Sequence, residues 1–539
     1  MRDPCISFEE SVLALESCTR AIVGGTLIDG TGRPPVKDSV VVIDGEWIVA
    51  VGRRGEVAVP EGAEVIDASG RTVLPGLIDA HTHFLWMGIG MIRLVDLSAT
   101  TSLAEAVELV KARVEKTPKG EWVMGRGWDD SKWTERRYIT KEDLDPFSPD
   151  HPIMLTRVCG HLITLNSKAL EVAGITRDTP DPPGGQIDRD QDGEPTGVLR
   201  DARQLVEKVI PPVTEEIALE GLKQACDHAL SLGCTGIHDA GLDAFGVRVY
   251  QSALERGLLK VRAYVMVRED AFIKGASELG VRTGFGNRML KLGSAKLLID
   301  GSLGARTAAL FEPYEDDPST KGLLMMEPEE LTEKVKAAHR LGLQVAVHAI
   351  GDRGIEHAIA AIEEALREKP RKDHRHRIEH SEILTTTQIE RLRGLGIVAS
   401  VQPNFVGEWS GPGGLYEARL GARRLRQNNP YRLLLDEGVR VAFGSDCMPF
   451  NPLYGLWSAV NHPIRENRVT LEEAVRCYTL EAAYASFEEE VRGSIEPGKL
   501  ADITILDGDL TETPAEQIKD MPVHMTLVGG KILYVKEDQ

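Results

Sequence analysis

The chain has 539 residues, of which 42% are hydrophobic and 27% are charged, so it has the composition of a folded globular protein with two or three domains. Its formal net charge of −20 argues against a binding surface for nucleic acid or an anionic membrane, because both require clustered cations. No apolar run approaches the length of a membrane span. We therefore expect a small-molecule partner, with no nucleic acid and no membrane.

The first twenty residues contain four acidic side chains and no apolar segment, so no signal peptide is expected. The seven cysteines include no CxxC pair and no zinc-ribbon spacing. Reduced thiols in a cytoplasmic protein are the simplest interpretation. Cys159 and Cys447 lie near motifs described below, but no base is visibly paired with either, so a nucleophilic thiol is not favoured.

The two ends of the chain have the same character. Residues 20–72 contain short apolar segments separated by glycine turns, and the segments ADITILDGD and HMTLVGGKILYVK near the C-terminus repeat this pattern. Isolated hairpins are marginal in water, so the two ends are expected to combine. We predict a small β-sandwich domain built from residues 1–72 and 496–539.

Between these ends, eight short apolar or β-branched segments alternate with amphipathic helical patterns. The candidate strands are TVLPGLIDAH, CTGIHDAG, VRAYVMV, AKLLIDG, QVAVHAIGD, RHRIEH, GIVASVQP and RVAFGSD. An eight-fold series of strand and helix predicts an α/β fold with a TIM (β/α)8 barrel. The barrel is expected to span residues 73–495.

The connection between the first two candidate strands is far too long for a simple loop. It includes the segments WVMGRGWDDSKW and VCGHLITLNSKAL and a turn-rich stretch. We predict an insertion after the first barrel strand, approximately residues 95–205, which is either an added subdomain or a long lid over the barrel mouth.

His81 and His83 end the first candidate strand. Alternate side chains of a strand point the same way, so both can reach one metal ion. His374 and His376 have the same spacing but follow the polar segment PRKD at a strand start. We therefore interpret the second pair as a solvated turn.

Four further polar residues lie in or at the ends of apolar strands: Lys296, His348, His380 and Asp446. Each taken singly has a structural explanation, such as a hydrogen-bonded histidine or a helix cap. An ammonium in a barrel strand is costly unless it is paired, deprotonated or modified, and Lys296 could otherwise reach solvent or pair with Asp300. Convergence of all four on one rim is harder to explain by chance.

The ordered motifs PGLIDAHTH, KLLIDGSLGARTA, VHAIGD, RIEH and GSD resemble those of the amidohydrolase superfamily. The resemblance is to the YtcJ-like branch, which includes N-substituted formamide deformylases. The segment GSIEPGKLADITILD resembles the return of that superfamily from the barrel to the β-sandwich. Together the matches span residues 20–536, and the resemblance also implies a homodimer.

The resemblance implies a centre of two divalent metals, expected to be Zn²⁺, with iron, manganese or nickel as alternatives. His81 and His83 would bind the first metal. Lys296, carboxylated at its amine, would bridge the two, and His348 with His380 would bind the second. The lysine is readable in the sequence, whereas its modification is not.

Asp446 would contact the first metal and act as general base and acid. The implied activity is metal-dependent hydrolysis of a C–N bond in an amide, an N-substituted formamide or a cyclic amide, by attack of a metal-bound hydroxide. A deaminase or lactonase of the same superfamily would use similar ligands. A metal-binding regulatory protein without activity is a further alternative, although it would not need Asp446. A serine hydrolase is disfavoured because there is no GxSxG motif.

Residues that could contact the substrate are less sharply indicated. In the insertion they are Trp128, Trp133, His161 and Asn166, for which capping and subdomain packing are equally good interpretations. Just beyond barrel strands they are Arg306, Thr307 and Asp352, which could orient the substrate or the ligands. His238 is expected to support a ligand or the fold rather than bind metal.

Overall fold

The computed structural model describes residues 19–158, 160–182 and 185–537. The described residues form two compact units, one within residues 1–84 and 226–539 and the other within residues 85–225. Three cysteines lie outside the described residues, namely Cys5, Cys18 and Cys159. The segment on which the signal-peptide prediction rests also lies outside them, except for residues 19 and 20. No helix in the described ranges is long and apolar enough to cross a membrane.

The first unit opens with short strands. Its first seven strands are β1 (Thr19–Val23), β2 (Thr26–Leu27), β3 (Ser39–Asp44), β4 (Trp47–Arg53), β5 (Glu64–Asp67), β6 (Thr72–Pro75) and β7 (Leu77–Thr82). Four of them form a sheet in the order β4-β3-β1-β5. The run of β-branched residues in β3 is buried, as expected for a strand that packs on a core.

The second unit, residues 85–225, contains the whole of the predicted insertion. Its strands are β8 (Leu94–Asp96), β9 (Val123–Trp128), β10 (Ile153–Arg157), β11 (Leu162–Leu165), β12 (Gln186–Arg189) and β13 (Pro195–Arg200). They form one six-stranded sheet in the order β12-β13-β11-β10-β9-β8. The helices that lie in this unit or overlap one of its ends are α1 (Phe84–Arg93), α2 (Leu103–Val114), α3 (Lys141–Leu144), α4 (Ser167–Ala173), α5 (Gln204–Glu207) and α6 (Glu215–Ser231).

The barrel continues with seven strands: β14 (Cys234–Leu242), β15 (Arg262–Arg268), β16 (Leu290–Leu298), β17 (Gln344–Ala349), β18 (Arg377–His380), β19 (Val398–Val401) and β20 (Val441–Phe443). With β7 they form an eight-stranded parallel sheet in the order β20-β19-β18-β17-β16-β15-β14-β7. The sheet closes where the Asp446 amide donates to the His81 carbonyl at 2.8 Å. The predicted TIM barrel, with all eight of its candidate strands, is confirmed.

The helices that follow the barrel strands are α7 (Ala244–Glu255), α8 (Glu269–Leu279), α9 (Pro328–Arg340), α10 (Asp352–Glu368), α11 (Thr386–Leu395), α12 (Pro403–Trp409), α13 (Leu415–Leu425), α14 (Tyr431–Asp436), α15 (Pro452–Val460), α16 (Leu471–Cys477) and α17 (Leu480–Ala485). Apolar side chains from the strands and from the inner faces of the helices form one cluster, for example Leu297, Val345, Ile359 and Leu392. This layer fixes the strands whose carboxyl ends carry the polar residues.

The C-terminal strands are β21 (Ile503–Leu506), β22 (Val523–Val528) and β23 (Lys531–Val535). They join β2 and β6 in a five-stranded sheet of order β2-β6-β21-β22-β23. Ile22, Val41, Ile503 and Leu527 belong to a single buried cluster, so both ends of the chain supply one core. This confirms the predicted β-sandwich made from the two termini.

The prediction of a solvated turn at His374 and His376 is wrong, since both side chains are buried. His376 Nδ1 accepts from the Val345 amide at 3.0 Å, and its Nε2 lies 2.8 Å from Nδ1 of His339. His374 Nε2 lies 2.8 Å from the carbonyl oxygen of Leu395. The ends of α9 and α11 cover this polar segment, which the local sequence could not show.

Candidate metal centre and adjoining pocket

The polar residues predicted at strand ends lie around one rim of the barrel. His81 is in β7, Lys296 in β16 and His348 in β17, while His380 is the last residue of β18. Asp446 follows β20 by three residues. His380 and Asp446 have φ values of 74° and 52°, a left-handed backbone that non-glycine residues seldom adopt. Such conformations concentrate at functional sites, where the surrounding structure holds them.

His81, His83 and Asp446 form a set of ligand atoms that all lie within 4.8 Å of one another. Asp446 Oδ1 is 3.8 Å from His81 Nε2 and 3.3 Å from His83 Nε2. The His81 side chain is 1% exposed and that of His83 is 47% exposed, so the set extends from the barrel interior to the surface. A metal ion held there would be reachable by a substrate.

Hydrogen bonds at Nδ1 fix which nitrogen of each histidine is free. His81 Nδ1 lies 2.5 Å from Glu379 Oε2, and His83 Nδ1 lies 3.0 Å from the Ala240 carbonyl. Because a carboxylate or a carbonyl can only accept, both Nδ1 atoms carry the proton and both Nε2 atoms present lone pairs. His380 is arranged in the same way, with Nδ1 2.7 Å from Gln402 Oε1.

Glu379 was not singled out from the sequence, although it organises the centre. Its carboxylate accepts from the Arg377 guanidinium, at 2.5 Å to Nε, as well as contacting His81. Burial opposes ionisation of Glu379, but Arg377 and then His81 outweigh it and hold the pKa of this carboxyl well below its usual range. The signal was present in RIEH, since residues two apart on a strand share a face.

Lys296 is 3% exposed, and its Nζ has no hydrogen-bond partner among the described residues. Burial lowers the pKa of this amine, while Glu379 and Asp446 oppose the shift. Neither structural explanation for Lys296 holds, because the side chain does not reach solvent and Asp300 is occupied elsewhere. Asp300 accepts from the backbone amides of Ala309, Ile350 and Gly351.

His348 and His380 stand next to the first set. Their ring centroids are 4.4 Å apart, and the His380 ring is 4.8 Å from that of His81. Burial lowers the pKa of His348 to about 3, so the ring is neutral, as a metal ligand must be. His348 Nε2 lies 3.0 Å from the Gly301 carbonyl, so Nδ1 is the nitrogen with the lone pair in this arrangement.

The donor set fits a divalent metal. Two Nε2 lone pairs, from His81 and His83, face Asp446 Oδ1, which makes no hydrogen bond among the described residues. Three acceptor atoms at this separation repel one another unless a cation lies between them. Nitrogen and carboxylate ligands of this kind suit zinc and other transition metals.

Cys447 adjoins the centre but has the wrong character for a nucleophile. Its Sγ lies 2.9 Å from Thr82 Oγ1 and 3.4 Å from the amide of His83. Burial raises the pKa of this thiol, so the thiolate is disfavoured. The described Cys226, Cys234 and Cys477 are likewise free of disulfides.

A model of the amidohydrolase family matches residues 64–534. The chain belongs to this family. YtcJ of Bacillus subtilis is 35% identical over 530 residues, which cover 94% of this chain and 97% of YtcJ. The N-substituted formamide deformylase of Arthrobacter pascens is 31% identical over 520 residues, which cover 92% and 94%.

Solved structures agree with the family. An uncharacterized metal-dependent hydrolase from Pyrococcus furiosus superposes with a TM-score of 0.75 at 31% identity, covering 91% of this chain and 99% of the other. The family match and the similarity to the Pyrococcus hydrolase both place this amidohydrolase in a superfamily of metal-dependent hydrolases.

The residues predicted in the insertion have local structural roles. Trp128 is 0% exposed and stacks on Trp133 with ring centroids 5.6 Å apart. Asn166 caps α4 by accepting from the Ala169 amide at 2.9 Å. His161 is exposed, with Nδ1 2.7 Å from Asp201. For the tryptophans and Asn166, packing and capping are therefore the interpretations that the structure supports.

The candidates beyond the barrel strands also have local partners. Arg306 pairs with Asp316 at 2.8 Å, and Asp352 Oδ1 accepts from the Phe311 amide at 2.9 Å. Thr307 Oγ1 accepts from the Ser302 amide at 3.0 Å. Their predicted contact with substrate stays a prediction.

His238 is buried, as expected for a supporting residue, and its Nδ1 lies 3.0 Å from Nη1 of Arg377. It therefore helps to hold the guanidinium that pairs with Glu379. The expectation for His238 is that it supports a ligand or the fold, and its contact with Arg377 is of that kind.

A largely apolar pocket of about 300 Å³ adjoins the centre, and His348, His380 and Asp446 form part of its lining. The remaining walls include Leu303, Ile350, Phe405, Trp409, Tyr416 and Glu382. Burial raises the pKa of Glu382 to about 8, a hydrogen bond from the Tyr416 side chain opposes this shift, and the carboxyls of Asp300 and Asp446 add to it. None of these pocket residues except the three rim residues was indicated by the sequence.

Proposed function

We propose that this amidohydrolase cleaves a C–N bond in an amide, an N-substituted formamide or a cyclic amide. The observation that carries the proposal is the convergence of His81 Nε2, His83 Nε2 and Asp446 Oδ1 at the mouth of the barrel. The similarity to the formamide deformylase of Arthrobacter pascens supports an amide substrate. The apolar pocket beside these atoms offers room for a substituent of such a substrate.

The residues at the rim would hold two divalent metals, for which zinc is our first choice. His81, His83 and Asp446 would hold one ion, and His348 with His380 the other. A bound divalent metal supplies acidification of a water molecule and polarisation of the scissile carbonyl. Lys296 supports the binuclear form, since a buried amine without a partner would become a bridging ligand if carbon dioxide carboxylated it.

Asp446 is the proposed proton carrier. Its Oδ1 is buried, lies 3.3 Å from His83 Nε2 and makes no hydrogen bond among the described residues. It would take the proton that the attacking water loses and deliver it to the leaving nitrogen, which cannot depart as an anion. Glu379 and the Gln402 amide oxygen meanwhile hold His81 and His380 in the orientation that ligation needs.

The test is metal analysis of the purified protein together with a screen of formamides, N-acyl amines and cyclic amides. Asp446→Asn should lower turnover by about 10²- to 10⁴-fold, because it removes the proton carrier. Glu312→Gln, on the exposed surface, is the matched control and should retain wild-type turnover. Absence of a tightly bound transition metal, or full activity of Asp446→Asn, would overturn the proposal.

A further inference from the structure

The pocket beside the metal centre is apolar on most of its surface, yet Glu382 lines it. Apart from Asp446, Glu382 is the only carboxylic acid among the described lining residues. The side chain is buried, and its Oε2 makes no hydrogen bond of full geometry among the described residues, although the Tyr416 hydroxyl lies beside the carboxyl. A buried carboxyl in this position is costly unless a ligand supplies a donor.

The backbone fixes where Glu382 stands. It follows His380 and Ser381, whose φ values are 74° and 50°, so two consecutive left-handed residues turn the chain at the end of β18. The Glu382 carbonyl then accepts from the Asn429 amide at 2.7 Å, and the Ile383 amide donates to the Ile350 carbonyl at 3.2 Å. The carboxyl is therefore held by a rigid segment and not by a mobile loop tip.

Aromatic rings connect the metal centre with this acid. The Phe405 ring stacks on His380 with centroids 6.0 Å apart, and Trp409 lies 4.6 Å from Phe405. Tyr416 lies edge-on to Trp409 at 5.9 Å, and its buried hydroxyl lies beside the Glu382 carboxyl, whose ionised form it favours. Aromatic faces together with a carboxyl that has spare acceptor capacity are the groups that recognise an ammonium ion in a water-poor site.

We propose that this pocket selects amides whose substituent ends in a primary ammonium group, with Glu382 as its acceptor. The inference rests on the proposed function, because it names the substrate class of the same site. Burial removes the water that would otherwise stabilise the negative charge of the Glu382 carboxylate. An ammonium ion in the pocket stabilises that charge instead by forming an ion pair. A volume of about 300 Å³ is at the lower end for small-molecule pockets, so the substituent carries about one ring.

The test compares two formamides of nearly equal shape, N-[4-(aminomethyl)benzyl]formamide and N-(4-ethylbenzyl)formamide, with the metal-loaded enzyme. We expect the ammonium substrate to have a kcat/KM at least about ten-fold higher. Glu382→Gln keeps the size of the side chain and should reduce this ratio by about ten-fold or more. Glu408→Gln alters an exposed acid on the same helix as Phe405 and should leave the ratio unchanged. Equal rates for the two substrates, or an unchanged ratio in Glu382→Gln, would overturn the proposal.

A binding measurement separates this inference from the proposed function. Benzylamine should bind the wild-type protein more tightly than benzyl alcohol in calorimetry, and Glu382→Gln should remove the difference. Equal affinities for the two probes, or a preference that survives Glu382→Gln, would refute recognition by Glu382 whatever the hydrolysis rates. If no amide in the screen is hydrolysed while the probes behave as expected, the proposed function fails and the ammonium pocket stands.

Discussion

Replacing Glu379 by Gln should damage both the fold and the metal centre. The carboxylate is 0% exposed and lies between the Arg377 guanidinium and His81 Nδ1. Breaking a buried ion pair by removing one partner costs about 3–5 kcal/mol, because an uncompensated charge stays buried. Arg377 retains three neutral acceptors, namely the Ala80 carbonyl, Ser400 Oγ and His238 Nδ1. We therefore expect the lower end of the range, about 3 kcal/mol.

The metal affinity should fall at the same time. Glu379 holds the ring of His81 with its Nε2 toward the ligand set, and loss of such a partner typically lowers metal affinity by about ten- to a hundred-fold. Urea denaturation measures the stability, and competition with a chelator measures the affinity. The control is Glu312→Gln, which breaks an exposed ion pair with Arg423 and should change neither quantity measurably. A destabilisation below about 1 kcal/mol with unaltered metal affinity would refute the assigned role.

Three other changes test separate parts of the structure. Asn166→Ala removes the Oδ1 atom that accepts from both the Ile153 and the Ala169 amides. It should cost about 2–4 kcal/mol in urea denaturation of the unit formed by residues 85–225, and a loss below about 0.5 kcal/mol would contradict this. Burial keeps the pKa of His376 well below 6.5, so below about pH 6.5 the unfolded chain binds a proton that the folded chain does not. This group should therefore lower the free energy of unfolding by up to about 1.4 kcal/mol for each unit by which the pH falls. If His376→Asn left the pH dependence of the free energy of unfolding unchanged, His376 would be excluded as its source. Removal of metal by a chelator should lower the denaturation midpoint, and zinc at about 100 times its Kd should restore about 2.7 kcal/mol; a midpoint indifferent to both would argue against a metal that binds the folded state.

Much of the centre could be predicted from the sequence because the relevant patterns are local. Strand alternation places His81 in β7 and His83 just beyond it on one side, and the polar residues of β16, β17 and β18 lie within or at the end of apolar segments. In a TIM barrel the carboxyl ends of all strands meet at one rim, so Lys296, His348 and Asp446 could be assigned to the same site from their positions alone.

What lies opposite a side chain could not be predicted in this way. Glu379 pairs with His81 across a separation of 298 residues, and its role depends on barrel closure, which no local pattern shows. His374 and His376 appeared solvated because their neighbours in sequence are polar, yet helix ends from elsewhere in the chain cover them. The tertiary structure alone placed Glu382 beside aromatic rings from α12 and α13.

The sequence by itself determined the order of strands, the composite terminal domain and the polar residues at the strand ends, because hydrophobic periodicity and strand alternation act over a few residues. Only the tertiary structure decided which charges pair, which histidines are buried and which acid lines the apolar pocket. Those features arise from contacts between segments distant in sequence, and such contacts are fixed by the packing of the whole barrel.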